Sequence, residues 1–224
     1  NNIALTSGGG EFIVANNDVT ITATGGGNVA LNAVTLQSDI AGDITLTGGQ
    51  IDGSGTITAD NGDIIFNSTN DSLTSTLSAT ITADLGSVQF LGGLYEVSDI
   101  DADAGGITIA GDSTGTFGAL QTTGSAVRIT TSGNVTTTSI DAGVIVASGA
   151  GDYTLGNVTS TNSVLVQITT GTGDDSMTLT QALDEYHINT GDGADSVSIT
   201  AAETGSVINL GLGADTLTPT RTGY

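Results

Sequence analysis

The chain has 224 residues, of which 24 are acidic and only two basic, Arg128 and Arg221, for a formal charge of −22. A surface this acidic repels nucleic-acid phosphates and anionic lipid headgroups, which excludes both as partners. The absence of cysteine removes disulfides and thiolate metal sites, and no apolar stretch approaches the roughly 18 residues of a membrane-spanning helix.

Acidity with few aromatics describes many disordered chains, but here Val, Ile, Leu and Thr alternate with polar residues over many short stretches, the pattern of half-buried strands. The chain opens on Asn1 with no charged and apolar leader, which reads as a processed product or a segment of a longer protein. In chain order, "TITATGGGNVAL" begins at Thr20. "TITADNGDIIF" spans Thr56–Phe66 and returns as "TITADLGSVQF" over Thr80–Phe90, and "DIDADAGGITI" follows from Asp99. Each copy reads strand, polar glycine turn, strand. The first apolar residue after each turn is Val29, Ile44, Ile64, Val88, Ile107, Val127, Val144, Val164, Tyr186 and Val207, a mean step close to twenty residues. The first forty residues are less regular, and they either complete a coil or form a lid.

Short strands at this spacing suit either an antiparallel sandwich or a parallel solenoid. Copying separates the two. In a solenoid each coil stacks on a near-identical one, so one residue type recurs at one corner, as Ile168, Ile188 and Ile208 do, together with Gly173, Gly193 and Gly213. The expected fold is therefore all-β, a right-handed parallel β-helix (β-solenoid) of about 20 residues per coil, forming one domain over residues 1–224. Residues 1–165 form Thr- and Gly-rich coils, and 166–218 form coils with Gly-x-Gly-x-Asp turns. About eleven coils at ~4.8 Å each make a rod on the order of 50 Å long. Val, Ile and Leu fill the inside, while Thr45, Thr58, Thr82 and Thr108 face out.

The three turns near the C-terminus align as Gly171, Gly173, Asp175; Gly191, Gly193, Asp195; and Gly211, Gly213, Asp215. Twenty residues apart, they sit on one edge of the rod above one another. Carboxylates stacked at strand spacing repel unless bridged, and a hard divalent cation taking six or more oxygens is the natural bridge, with the glycines freeing turn carbonyls to face it. Asp175 and Asp195 would hold one Ca2+, and Asp195 with Asp215 a second, with Asp174 and Asp192 adding charge; the alternative is a tight turn without an ion, its aspartate bonding its own backbone amides. The run resembles the calcium-binding G-G-x-G-x-D-x-U-x nonapeptide of RTX proteins. It departs from that pattern at Thr170, Thr190 and Leu210, which stand where the first glycine belongs, and in repeating every twenty residues instead of nine. An earlier turn, "GAGDYTL" at Gly149, carries Tyr153 at the aspartate position, so no ion is expected there.

The upstream "ITAD" and "DIDAD" pieces resemble the repeats of filamentous haemagglutinin-type adhesins and related bacterial surface solenoids. That resemblance implies an extracellular, non-catalytic rod, structural or adhesive, whose partners are cell-surface glycans or further copies of itself. One alternative is a self-assembling filament or surface-layer subunit, because both ends of a solenoid offer unpaired strands. Another is a polysaccharide-degrading β-helix enzyme. Against the enzyme, His187 has no nucleophile motif near it, Arg128 stands alone on an outward position, and the aromatics are spread singly. Asp101 and Asp103, two apart, are the nearest approach to an acid and base pair. N-x-Ser/Thr sites occur at Asn67, Asn70, Asn134 and Asn157.

Overall fold

The computed structural model describes residues 1–6, 12–160, 165–180, 185–200 and 205–219. Among them there is no helix, and the strands pair in parallel throughout. A 14-stranded sheet runs the length of the molecule, its main path passing through eleven strands from Ile3–Thr6, Val29–Ser38 and Ile51–Ala59 to Ser196–Ile199 and Thr216–Pro219. A second sheet of seven strands runs from Val19–Thr22 to Val144–Ser148. Beyond it, Leu165–Thr169, Glu185–Asn189 and Val207–Asn209 form a three-stranded sheet, and Asp192–Gly193 pairs with Leu212–Gly213. The molecule is a parallel β-solenoid with about 20 residues per coil.

The alternation seen in the sequence sets which side chains turn inward. In "TITAD" from Thr56, Ile57 and Ala59 are buried, and they stack in register on Ile81 and Ala83 of the next copy. Across the turn, Ile64 and Phe66 stack on Val88 and Phe90. The two phenyl rings lie parallel, with centroids 4.9 Å apart, and Tyr95 and Phe117 meet Phe90 edge-on. The Tyr95 hydroxyl accepts the Ser68 N–H at 3.0 Å, which gives this buried polar group a partner. Ile168, Ile188 and Ile208 also stack in register, as their spacing predicts.

One inward column runs Val19, Ile44, Ile64, Val88, Ile107, Val127, Ile145. It corrects the sequence tracing at three places. Val29 belongs to the long sheet, opposite Ile51. Val144 pairs with Ala126 and is exposed, while Ile145 takes the inward place. Val207 pairs with His187 and is 58% exposed. Val164 and Arg221 lie outside the described residues. The cause is strand parity: a one-residue shift moves a side chain from the inner to the outer face, so the first apolar residue after a turn is not always the inward one. The "TITA" at Thr20 is a further correction, since it pairs with Thr45–Thr47 in the second sheet and not with the "TITA" strands of the long one. The described opening strands join the coils: Ile3–Thr6 and Phe12–Ala15 pair with Val29–Ser38, and Val19–Thr22 with Ile44–Thr47.

Candidate functional site

The C-terminal turns stack as their spacing predicts, and their carboxylates bind backbone. The Asp175 N–H donates to Asp195 Oδ1 at 2.9 Å, and the Asp195 N–H donates to Asp215 Oδ1 at 3.1 Å. One coil earlier the Tyr153 N–H donates to Asp175 Oδ1 at 2.8 Å, so Tyr153 occupies the place in the stack that aspartate fills afterwards. Each aspartate therefore caps the amide of the preceding coil. Asp175 and Asp195 are 1% exposed, because Asp175 shares the inward parity of Met177 and Leu179, and Asp195 that of Val197 and Ile199. Their Oδ2 atoms are buried and have no hydrogen-bond partner. Asp215, on the last described coil, is half-buried.

Burial pushes the Asp175 carboxyl above the ordinary carboxylate range. The Tyr153 amide opposes that rise, and the charges of Asp195 and Asp152 add to it. The adjacent Asp174 points outward and reaches the other way: its Oδ1 accepts the Ala194 N–H at 2.8 Å, and its own N–H donates to Asp152 Oδ1 at 2.9 Å.

The glycines are needed for stacking. A Cβ on Gly191 would overlap the Gly171 carbonyl oxygen, and one on Gly211 the Gly191 carbonyl oxygen; Gly173, Gly193 and Gly213 stack in the same way. The Gly171 carbonyl accepts the Asp192 N–H at 3.1 Å and the Gly191 carbonyl accepts the Leu212 N–H at 3.0 Å, so these oxygens bond along the rod. Thr170 and Thr190, which depart from the RTX pattern, are buried and donate their hydroxyls to the carbonyls of Thr190 and Leu210. Toward a calcium ion, the turns offer the free Oδ2 of Asp175 and of Asp195 and the second lone pairs of the glycine carbonyls. Among the described residues, no three acidic or histidine side chains converge at metal-binding distance.

A second aspartate ladder escaped the sequence reading. The Asp43 N–H donates to Asp18 Oδ1 at 3.1 Å and the Asp63 N–H to Asp43 Oδ1 at 2.8 Å. Ser87 closes the ladder on Asp63 Oδ1 with its N–H at 2.7 Å and its hydroxyl at 2.9 Å, and Gln89 Nε2 donates to Asp63 Oδ2 at 3.2 Å. A usable signal was present: aspartate directly precedes the first inward residue at Val19, Ile44 and Ile64.

Of the other residues singled out, His187 sits on an outward strand position beside Gln167 and Val207. Arg128 is exposed between Thr108 and Val146. Asp101 is half-buried on the outer face of the long sheet, and Asp103 is exposed in the following turn, where it accepts the Thr123 hydroxyl at 2.8 Å. Asn134 Nδ2 donates to Asp152 Oδ2 at 3.1 Å. No protein family, curated protein or solved structure was found to match this chain. Fold and site together define a parallel β-solenoid with aspartate-capped turns.

Proposed function

We propose that the chain is a non-enzymatic structural or adhesive rod displayed outside a prokaryotic cell. One observation carries the reading: a single parallel sheet continues through eleven strands over a core filled with apolar side chains, and its outward rows are mainly polar, with threonine the commonest residue. Such a chain produces a stiff, extended, regularly patterned surface. Antibody labelling of intact cells, compared with permeabilised cells, tests the placement. Release of reducing ends or unsaturated uronides from a panel of polysaccharides would replace the rod with an enzyme.

Calcium stiffening of the C-terminal coils belongs to the same proposal. Its support is the pair of buried, unpartnered Oδ2 atoms of Asp175 and Asp195 on successive coils. Bridging them would remove the cost of two desolvated carboxylate oxygens. A melting temperature that is equal in calcium and in chelator ends this part of the proposal and leaves the rod.

A further inference from the structure

The outer face of the long sheet carries two hollows side by side in its middle coils. One, of about 220 Å3, is lined by Thr76, Ser78, Glu96, Ser98, Thr116 and Thr138; the other, of about 250 Å3, by Thr82, Asp99, Asp101 and Gln121. They flank a line where the strands break or the pairing skips a residue, at Ser78, at Ser98 and Asp99, at Gly118 and at Thr138. From Ser78 to Thr138 this line crosses three rung spacings, roughly 14 Å. Each hollow is smaller than the ~300 Å3 at which pockets for drug-sized ligands begin, so each takes a ring-sized group and a ligand must extend across several coils.

The lining selects the chemistry. On either side of that line the backbone bonds from coil to coil, and at its edge the Ser98 N–H donates to the Leu77 carbonyl, so a ligand meets chiefly side chains: hydroxyls, carboxylates and one amide, set beside the apolar Leu77, Val97, Ile81 and Ile100. That lining suits a polyhydroxyl chain better than a peptide, whose own backbone would find no strand edge. No basic side chain lines either hollow. Asp99 is engaged, its Oδ1 accepting the Ala119 N–H at 2.8 Å. Glu96 is exposed, and Asp101 holds one oxygen buried with no hydrogen-bond partner. Desolvation, with Asp103 and Asp84 close by, pushes the Asp101 carboxyl upward, as expected of a group short of donors.

We propose that the two hollows form one groove for a linear glycan bearing free amino groups, such as a glucosamine polymer, with Glu96 and Asp101 as the ammonium partners. This rests on the adhesive reading and names its ligand class. The test is calorimetric titration of the full chain with glucosamine hexasaccharide near pH 5.5 and 150 mM salt, beside N-acetylglucosamine hexasaccharide and oligogalacturonate. Binding of the glucosamine oligomer alone is expected, weakened about tenfold by Glu96→Gln and about tenfold by Asp101→Asn, the loss of one charge-assisted contact each. Asp71→Asn, an exposed acid outside the groove, should leave it unchanged. Glu96 is exposed, so Glu96→Gln keeps the groove testable even where Asp101→Asn alters folding. No binding, equal binding of the acetylated oligomer, or equal weakening by Asp71→Asn overturns the groove. Wild-type chain that still attaches to glycan-coated surfaces after such a result retains the adhesive reading, and chain that attaches to none loses both.

Discussion

The two aspartate ladders use the same parts with opposite results. In the N-terminal ladder, aspartate stands one residue before the first inward side chain, as Asp43 before Ile44 and Asp63 before Ile64, and is half-exposed. In the C-terminal ladder it stands two residues before, as Asp175 before Met177 and Asp195 before Val197, and is buried. Alternation along the strand converts that single residue into a change of face. The hydrogen bonds reverse with it. Asp43 accepts from the coil that follows, whereas Asp195 accepts from the coil that precedes. The outer ladder ends on Ser87 and Gln89, which satisfy both oxygens of Asp63, while the inner one leaves an oxygen per coil unpaired. A Gly-Asp turn therefore caps a coil in either setting, and only the inner setting stores an unmet demand for a proton or a cation.

The largest effects should come from what the ladders share. Gly191→Ala places a Cβ onto the Gly171 carbonyl at a backbone φ of +86°, and Gly62→Ala places one onto the Gly42 carbonyl. Both should lose on the order of 4 kcal/mol, with Gly191→Ala the worse because its conformation is also strained. Gly25→Ala, at a φ of +65° with nothing within 4 Å, should lose only about 1 kcal/mol. Denaturant melts rank the three, and a wild-type melt for Gly191→Ala would mean that the turns do not stack. Calcium comes next and separates the ladders. At a hundred times its dissociation constant each ion adds about 2.7 kcal/mol. That gain should vanish in Asp195→Asn and survive in Asp43→Asn; a gain lost equally in both would assign the effect to general screening of charge.

Much of this was legible. The copying of "TITAD" and the twenty-residue interval of Ile168, Ile188 and Ile208 are direct products of stacking, because a column in register repeats its side chains. The C-terminal ladder stood out for the same reason, its coils being equal in length. The outer ladder hid behind unequal coils, 25 residues from Asp18 to Asp43 and 24 from Asp63 to Ser87, since a loop on another side of the coil adds residues without disturbing the stack. Burial of Asp175 was hidden differently. Periodicity places a turn, but the face taken by its aspartate depends on parity relative to Met177, and a charged residue is ordinarily assigned to solvent. The groove on the long sheet joins residues of four coils, which no local pattern reports.

Removing a carboxylate probes the difference more gently. Asp195→Ala strips the buried Asp175 N–H of its acceptor and should lose about 2 kcal/mol, whereas Asp43→Ala, which orphans the amide of half-exposed Asp63, should lose under about 1 kcal/mol. Equal losses in thermal melts would place both ladders in one environment and dissolve the contrast.

The smallest effect is the most diagnostic, because it reads the inner carboxylate directly. Burial raises the Asp175 carboxyl, so the folded chain holds a proton there more tightly than the unfolded chain does. The stabilisation from that proton is complete below the ordinary carboxylate value and is lost as pH rises through the higher folded value. Acid also relieves repulsion in a chain of charge −22, so the slope of stability against pH in the wild type mixes two causes. Asp175→Asn keeps an oxygen for the Tyr153 N–H and cannot titrate. Its stability should therefore fall less than that of the wild type as pH rises from 4 to 7, and the difference between the two curves isolates the inner ladder. Parallel curves would show that Asp175 titrates alike in folded and unfolded chains, which a carboxylate 1% exposed with one oxygen unpartnered should not do.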